Sequence, residues 1–177
     1  MKKSMALVFA FTLVCFSSFS QSSNSRHVEG QTSFYAELGG PGILFSANID
    51  HRFAPSRLGW GGRLGLGFVT GDVEYDPYGN IYNQSSVVTI PFQVNYIFGK
   101  ENNPHTFEVG AGATFAGKKL DIFNNYNSTG TNFFVSASFM YRRQPVNGGF
   151  SWRIGFTPLI AQGYIQPSGA VSVGYNF

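Results

Sequence analysis

From Thr32 onward the chain alternates, with bulky apolar residues at every second position and Gly, Ser or a charged residue between them. Val88, Ile90, Phe92, Val94, Tyr96 and Phe98 form one such series, and Phe107, Val109, Ala111, Ala113 and Phe115 form the next. Phe133, Val135, Ala137, Phe139 and Tyr141 follow, then Phe150, Trp152, Ile154 and Phe156. A period of two belongs to a β-strand, whose successive side chains point to opposite faces. The pattern predicts eight strands: Thr32 to Leu38, Ile43 to Phe53, Trp60 to Thr70, Val87 to Phe98, Thr106 to Ala116, Asn132 to Arg142, Phe150 to Leu159 and Gly169 to Phe177. Most are near ten residues, roughly the length a tilted strand needs to cross a bilayer. Helical periodicity and internal repeats do not stand out.

The connections alternate too. APSRLG, GKENNP and RQPVNGG, after the second, fourth and sixth segments, are short. GDVEYDPYGNIYNQSS and GKKLDIFNNYNSTG, after the third and fifth, are long. Short turns on one side and long loops on the other are the habit of transmembrane barrels, with the short turns periplasmic. An even strand count then puts both ends of the chain on the periplasmic side. GGPG and the connection after the seventh segment are short although they belong to the long-loop side, so the outer rim is uneven. Gly39-Gly40 and Gly148-Gly149 supply the positive φ that tight hairpins need. Pro91 and Pro158 each remove a ladder donor, which predicts a bulge near each or a nearby strand boundary.

The phase opposite the apolar one is small or charged. It holds Glu37, Asp50, Arg52, Arg63, Glu108, Arg142 and Arg153, with Gly65, Gly67, Gly110, Gly112, Gly155, Gln93, Asn95, Ser136 and Ser138. A water-soluble barrel would show an outer face rich in Lys and Glu; this one is Gly, Ser and Arg. An Arg facing lipid at the bilayer midplane costs about 2–4 kcal/mol, so four of them would cost on the order of 10 kcal/mol, comparable with a whole domain's stability. The charged phase therefore faces inward, where Arg52, Arg63, Arg142 and Arg153 pair with Glu37, Asp50 and Glu108. Eight strands enclose an interior that side chains fill, so the lumen is expected to be plugged. A narrow channel for small solutes is the alternative. Trp60, Tyr96, Phe98, Phe107, Tyr141, Trp152, Tyr175 and Phe177 fall near the short-turn side, and Phe68, Phe115, Phe133 and Phe156 near the other, as two interfacial girdles would.

Composition fits this reading. Of 177 residues only 12% are charged and 17% are aromatic, with 22 Gly. The mean hydropathy of −0.04 hides the apolar face, because alternation cancels in a running average. Lys2 and Lys3, the apolar run Met5 to Phe16 and the small residues of Ser18-Phe19-Ser20 read as a signal peptide over residues 1–20, cleaved before Gln21. Residues 21–30 form a polar periplasmic leader, and 31–177 the barrel. Without Lys2 and Lys3 the chain has ten basic residues against nine acidic, a balance that gives no support to nucleic-acid binding. Cys15 is the single cysteine and lies within the signal, so no disulfide is expected.

The closing stretch AVSVGYNF sets Val171, Val173, Tyr175 and Phe177 on one face. It resembles the last strand of bacterial outer-membrane β-barrels, where a terminal Phe with an aromatic residue two before it is read by the barrel-assembly machinery. With the hairpin FYAELGGPGILFSANIDHRF and the eight segments, the chain resembles the small outer-membrane β-barrel proteins of Gram-negative bacteria. The resemblance implies an all-β, eight-stranded antiparallel up-and-down transmembrane barrel in the cell outer membrane, with lipid and lipopolysaccharide around it. Val173, Tyr175 and Phe177 would be its assembly signal.

Chemistry is sparse. Some barrels of this size are lipid A acyltransferases or deacylases with a His and a Ser near the outer rim. Here His27 is in the leader, and His51 and His105 fall near the short turns. Asp72, Glu74 and Asp76 are spaced for a hairpin extension and do not match the EF-hand loop, whose Gly position is taken by Pro77. Lys118 and Lys119 stand where the fifth segment leaves the bilayer and can contact lipopolysaccharide phosphates as point charges or simply snorkel. Phe123 and Tyr126 are candidates for partner contact. The expectation is a non-enzymatic barrel without metal or cofactor, in a structural or surface-binding role.

Overall fold

A computed structural model describes residues 30–75, 78, 81–120 and 130–177, with 71–75 and 81–85 as backbone alone. The signal-peptide and cleavage assignments, the leader up to residue 29, Cys15, His27, Asp76, Pro77, Phe123 and Tyr126 lie outside the described residues, as do the side chains of Asp72 and Glu74.

The strands are β1 (Thr32–Gly39), β2 (Phe45–Arg52), β3 (Gly59–Tyr75), β4 (Ile81–Phe98), β5 (His105–Leu120), β6 (Thr131–Arg143), β7 (Gly149–Phe156), β8 (Leu159–Ala161), β9 (Tyr164–Gln166) and β10 (Gly169–Asn176). Each long strand pairs antiparallel with the next, and β1 pairs with β10, so the sheet closes on itself. The short β8–β9 hairpin continues β7 and β10 upward, with β8 on β6. The result is the expected eight-staved, up-and-down antiparallel barrel. Gly30 N donates to Phe177 O, so the short connections share an end with Phe177. We call this the Phe177 end and the other the hairpin end.

The larger departures from the sequence reading fall at the hairpin end. β2 starts at Phe45 rather than Ile43, because Ile43 has φ 75° and ψ −71°, a conformation outside any strand. β3, β4 and β5 run well past the expected rim, and their register shifts, between Thr70 and Val73, Glu74 and Tyr75, and Phe115 and Leu120, all lie at the hairpin end. The seventh strand stops at Phe156. Pro158 cannot donate to the ladder, and the staves resume only after it, bridged by Thr157 N to Ser168 O at 2.7 Å. Pro91 behaves differently, and no bulge forms there. Register is unchanged across it, from Leu64↔Phe92 to Gly67↔Thr89, and its ring is buried in the lumen.

The barrel is inverted relative to a water-soluble domain. The exposed residues include Phe34, Ile49, Leu64, Leu66, Ile90, Phe92, Phe139, Ile154 and Val173, whereas the buried set is dominated by Ser, Thr, Asn, Gln, Glu, Asp and Arg. Glycines on the inner face of β3 make room for this polar filling. A Cβ on Gly61 would lie 2.1 Å from the guanidinium carbon of Arg52, and one on Gly65 would lie 2.1 Å from Asn48 Oδ1.

Candidate functional site, the filled lumen

The middle of the bore is an ionic layer. Alternation on β1, β2, β3, β5, β6 and β7 brings Glu37, Asp50, Arg52, Arg63, Glu108, Arg142 and Arg153 together inside, each at most 3% exposed. Glu108 is the hub. Its Oε1 accepts from Arg63 Nη2 at 2.5 Å, and its Oε2 accepts from Arg142 Nη1 at 3.1 Å and Arg153 Nη1 at 3.3 Å. Asp50 accepts from Arg52 and, at 2.9 Å, from Arg142 Nη1. Glu37 accepts from Ser172 Oγ at 2.9 Å and has Arg153 Nη2 at 3.5 Å. Asn95 ties two of the carboxylates, donating from Nδ2 to Asp50 Oδ1 and Glu108 Oε1, both at 3.3 Å. Charges this deeply buried persist only when paired and hydrogen-bonded.

Sequence reasoning missed the centre of this layer. Tyr35 points inward at 3% exposure, and the guanidinium carbon of Arg153 stands 3.4 Å from its ring centroid, with that of Arg63 at 5.2 Å. A guanidinium over an aromatic face is an attractive arrangement. The signal was available, since Tyr35 shares the parity of Glu37. Ile97 and Met140 also face inward, 1% and 2% exposed.

The hairpin end is closed by backbone. GGPG does not form a plain rim turn. Gly40–Gly42 is a 3-10 turn folded into the bore, with all three residues buried. Thr114 Oγ1 donates to Pro41 O at 2.9 Å and Thr89 Oγ1 to Gly42 O at 3.3 Å. Ile43 packs against a small apolar cluster of Phe134, Leu159 and Ala161. Gly39 and Gly40 take φ 75° and 67°, which lets the chain reverse there. A Cβ on Gly40 would lie 3.0 Å from Glu37 Oε1, so the turn rests directly on the ionic layer.

The Phe177 end is closed by Arg57, which the sequence did not single out. It is 2% exposed, and Nη2 donates to the carbonyls of Lys100, Glu101 and Asn103 at 2.7, 2.6 and 2.7 Å. Gln144 Nε2 donates to Arg57 O at 3.0 Å. One side chain thus joins all three short connections.

Outside, aromatic rings meet near the Phe177 end. Ring centroids are 5.2 Å apart for Trp60 and Tyr96, 4.5 Å for Tyr96 and Phe98, 5.6 Å for Phe107 and Tyr141, 5.4 Å for Tyr141 and Trp152, and 5.1 Å for Tyr175 and Phe177. His51 shares a hydrogen bond with Thr32 Oγ1 at 2.8 Å, and His105 one with the Tyr141 hydroxyl; both rings are on the exterior at this end. Val173, Tyr175 and Phe177 face outward beside them. Lys118 and Lys119 are exposed near the hairpin end.

No family model and no curated protein matches the chain. Among solved structures it is similar to the N-terminal β-barrel domain of Pseudomonas aeruginosa OprF, with 12% identity, a TM-score of 0.57 and coverage of 84% of this chain and 99% of that one. It is also similar to the Yersinia pestis outer membrane protein Ail in a phospholipid bilayer nanodisc, with 13% identity, a TM-score of 0.50 and coverage of 84% and 100%. At such identities the likeness is one of fold.

Proposed function

We propose that the chain is a non-enzymatic integral outer-membrane barrel with a structural or surface-binding role and a lumen that does not conduct. One observation carries this reading: among the described residues the bore is filled at three levels, by Gly40–Gly42 and Ile43 at one end, seven charged side chains in the middle and Arg57 at the other. The apolar exterior supports the membrane placement, since exposed Phe, Leu, Ile and Val cover the staves. The Phe177 end then faces the periplasm, with the Trp60–Tyr96–Phe98 and Tyr141–Trp152 rings at the interface and Val173, Tyr175 and Phe177 offered to the barrel-assembly machinery. Lys118 and Lys119, on the opposite rim, are placed to meet lipopolysaccharide phosphates. The two described histidines lie at the Phe177 end, away from that rim, which speaks against lipid A chemistry.

Single-channel recording in planar bilayers tests the sealed bore. The reading expects no discrete openings; openings that change on replacing Arg63 or Arg153 would overturn it in favour of a small-solute channel. Incubation with lipid A followed by mass analysis should return unchanged acylation states, and any new state would make the protein an enzyme. Gel mobility should differ with and without boiling; identical migration would count against a closed barrel.

A further inference from the structure

The charges in the middle of the bore do not balance. Among the described residues it holds the guanidiniums of Arg52, Arg63, Arg142 and Arg153 against the carboxylates of Glu37, Asp50 and Glu108. A guanidinium keeps its proton in a protein. One fixed positive charge is therefore left over in a region shielded from water, where buried charges need partners.

The four guanidiniums differ in how fully their donors are met. Arg52 donates to Asp50, to Asn95 Oδ1 at 2.5 Å and to Gly59 O at 2.9 Å. Arg142 reaches two carboxylates and Ser33 Oγ at 2.6 Å, leaving only Nε without an acceptor. Arg153 reaches Glu108, Ser172 and the face of Tyr35. Among the described residues Arg63 makes a single hydrogen bond, to Glu108. Its Nη1 stands 3.7 Å from Glu37 Oε2, beyond hydrogen-bond reach, and neither Nε nor Nη1 has an acceptor among the described residues. The neighbouring Tyr35 hydroxyl is likewise buried without a partner among the described residues. Unmet donors thus belong to two neighbouring side chains, with the Arg63 guanidinium carbon 5.2 Å from the Tyr35 ring centroid, in a lumen that carries one unbalanced positive charge.

We infer that Arg63 and Tyr35 hold a small monovalent anion of halide size inside the lumen. Arg63 supplies charge-assisted N–H donors and Tyr35 an O–H donor. A halide only accepts, so it meets both sets and cancels the surplus; a water would meet donors and leave the charge. The inference rests on the filled lumen of the proposed function, and it holds whichever role the outer surface has.

The test is urea unfolding of the full chain refolded in detergent, followed by tryptophan fluorescence, in sodium bromide or chloride against sodium gluconate at equal ionic strength. Binding to the folded state alone raises the folded-to-unfolded ratio about tenfold per decade of halide above the dissociation constant. The expected result is that slope in halide and a flat response in gluconate. Arg63→Gln, which leaves three guanidiniums against three carboxylates, and Tyr35→Phe should flatten or weaken it. Anomalous density from bromide-grown crystals should show one peak between Arg63 and Tyr35. An equal halide slope in wild type and Arg63→Gln, or no halide response together with no bromide peak, would overturn the inference. Heat-modified gel mobility, run on the same samples, separates that failure from failure of the closed barrel itself.

Discussion

In the middle of the bore Glu108 touches three guanidiniums, whereas at the hairpin end Phe134, Leu159 and Ala161 meet Ile43 carbon against carbon. Both regions exclude water and both close the barrel, but they answer differently to change. In the ionic layer each group is needed by others, so deleting one strands its partners in a place where they cannot be hydrated. In the cap, losing carbon atoms costs their burial and the cavity left behind, with nothing stranded. The layer fixes how the staves align, while the cap is a lid of tolerant chemistry held by two threonine hydroxyls and a backbone turn.

The largest contrast should come from Glu108→Leu, which leaves Arg63, Arg142 and Arg153 without their shared carboxylate. We expect a loss of about 3–5 kcal/mol in equilibrium unfolding, and a loss below about 1 kcal/mol would mean the layer is not a network. The same guanidinium placed on the outer face should be costly for a different reason. Leu64→Arg is expected to cost about 2–4 kcal/mol when unfolding is measured from lipid bilayers, and an equal stability to wild type there would contradict a lipid-facing exterior. Within the cap, Leu159→Ala should cost about 2–3 kcal/mol, the range for a buried leucine whose site collapses partly. The smallest effect is expected at Ile43. A non-glycine residue at φ 75°, ψ −71° carries strain of about 1–3 kcal/mol, so Ile43→Gly trades relief of that strain against lost packing and should change stability by less than about 1 kcal/mol. A large destabilisation would show that Ile43 matters more to the lid than the turn does.

These two regions were not equally legible in the sequence. The ionic layer follows from parity: once Val88, Ile90 and Phe92 are on one face, Gln93 and Asn95 must be on the other, and the cost of four outward arginines chooses which face is inside. Tyr35 obeys the same rule, and only its aromatic character drew attention away from it. The cap obeys no period. Gly39-Gly40-Pro41-Gly42 announces a reversal of the chain, but glycine freedom says nothing about whether the turn folds over the rim or into the bore; that depends on Thr89, Thr114, Phe134 and Leu159, contributed by distant strands. Arg57 is hidden for the same reason, since its three acceptors are carbonyls of another connection. The lengths of β3 and β4 are hard to read because Gly71 and Asp72 favour turns, and only pairing between the two strands carries the ladder past them.

In the proposed membrane setting the bulky phase of every stave meets hydrocarbon while charge lies along the axis. Trp60 and Trp152, the two tryptophans of the chain, both belong to that outer phase. Fluorescence of the refolded protein in vesicles of lipids brominated along the acyl chain measures the claim directly. Strong quenching relative to unbrominated vesicles is the expected result, and tryptophan emission untouched by bromine but quenched by aqueous acrylamide would contradict it.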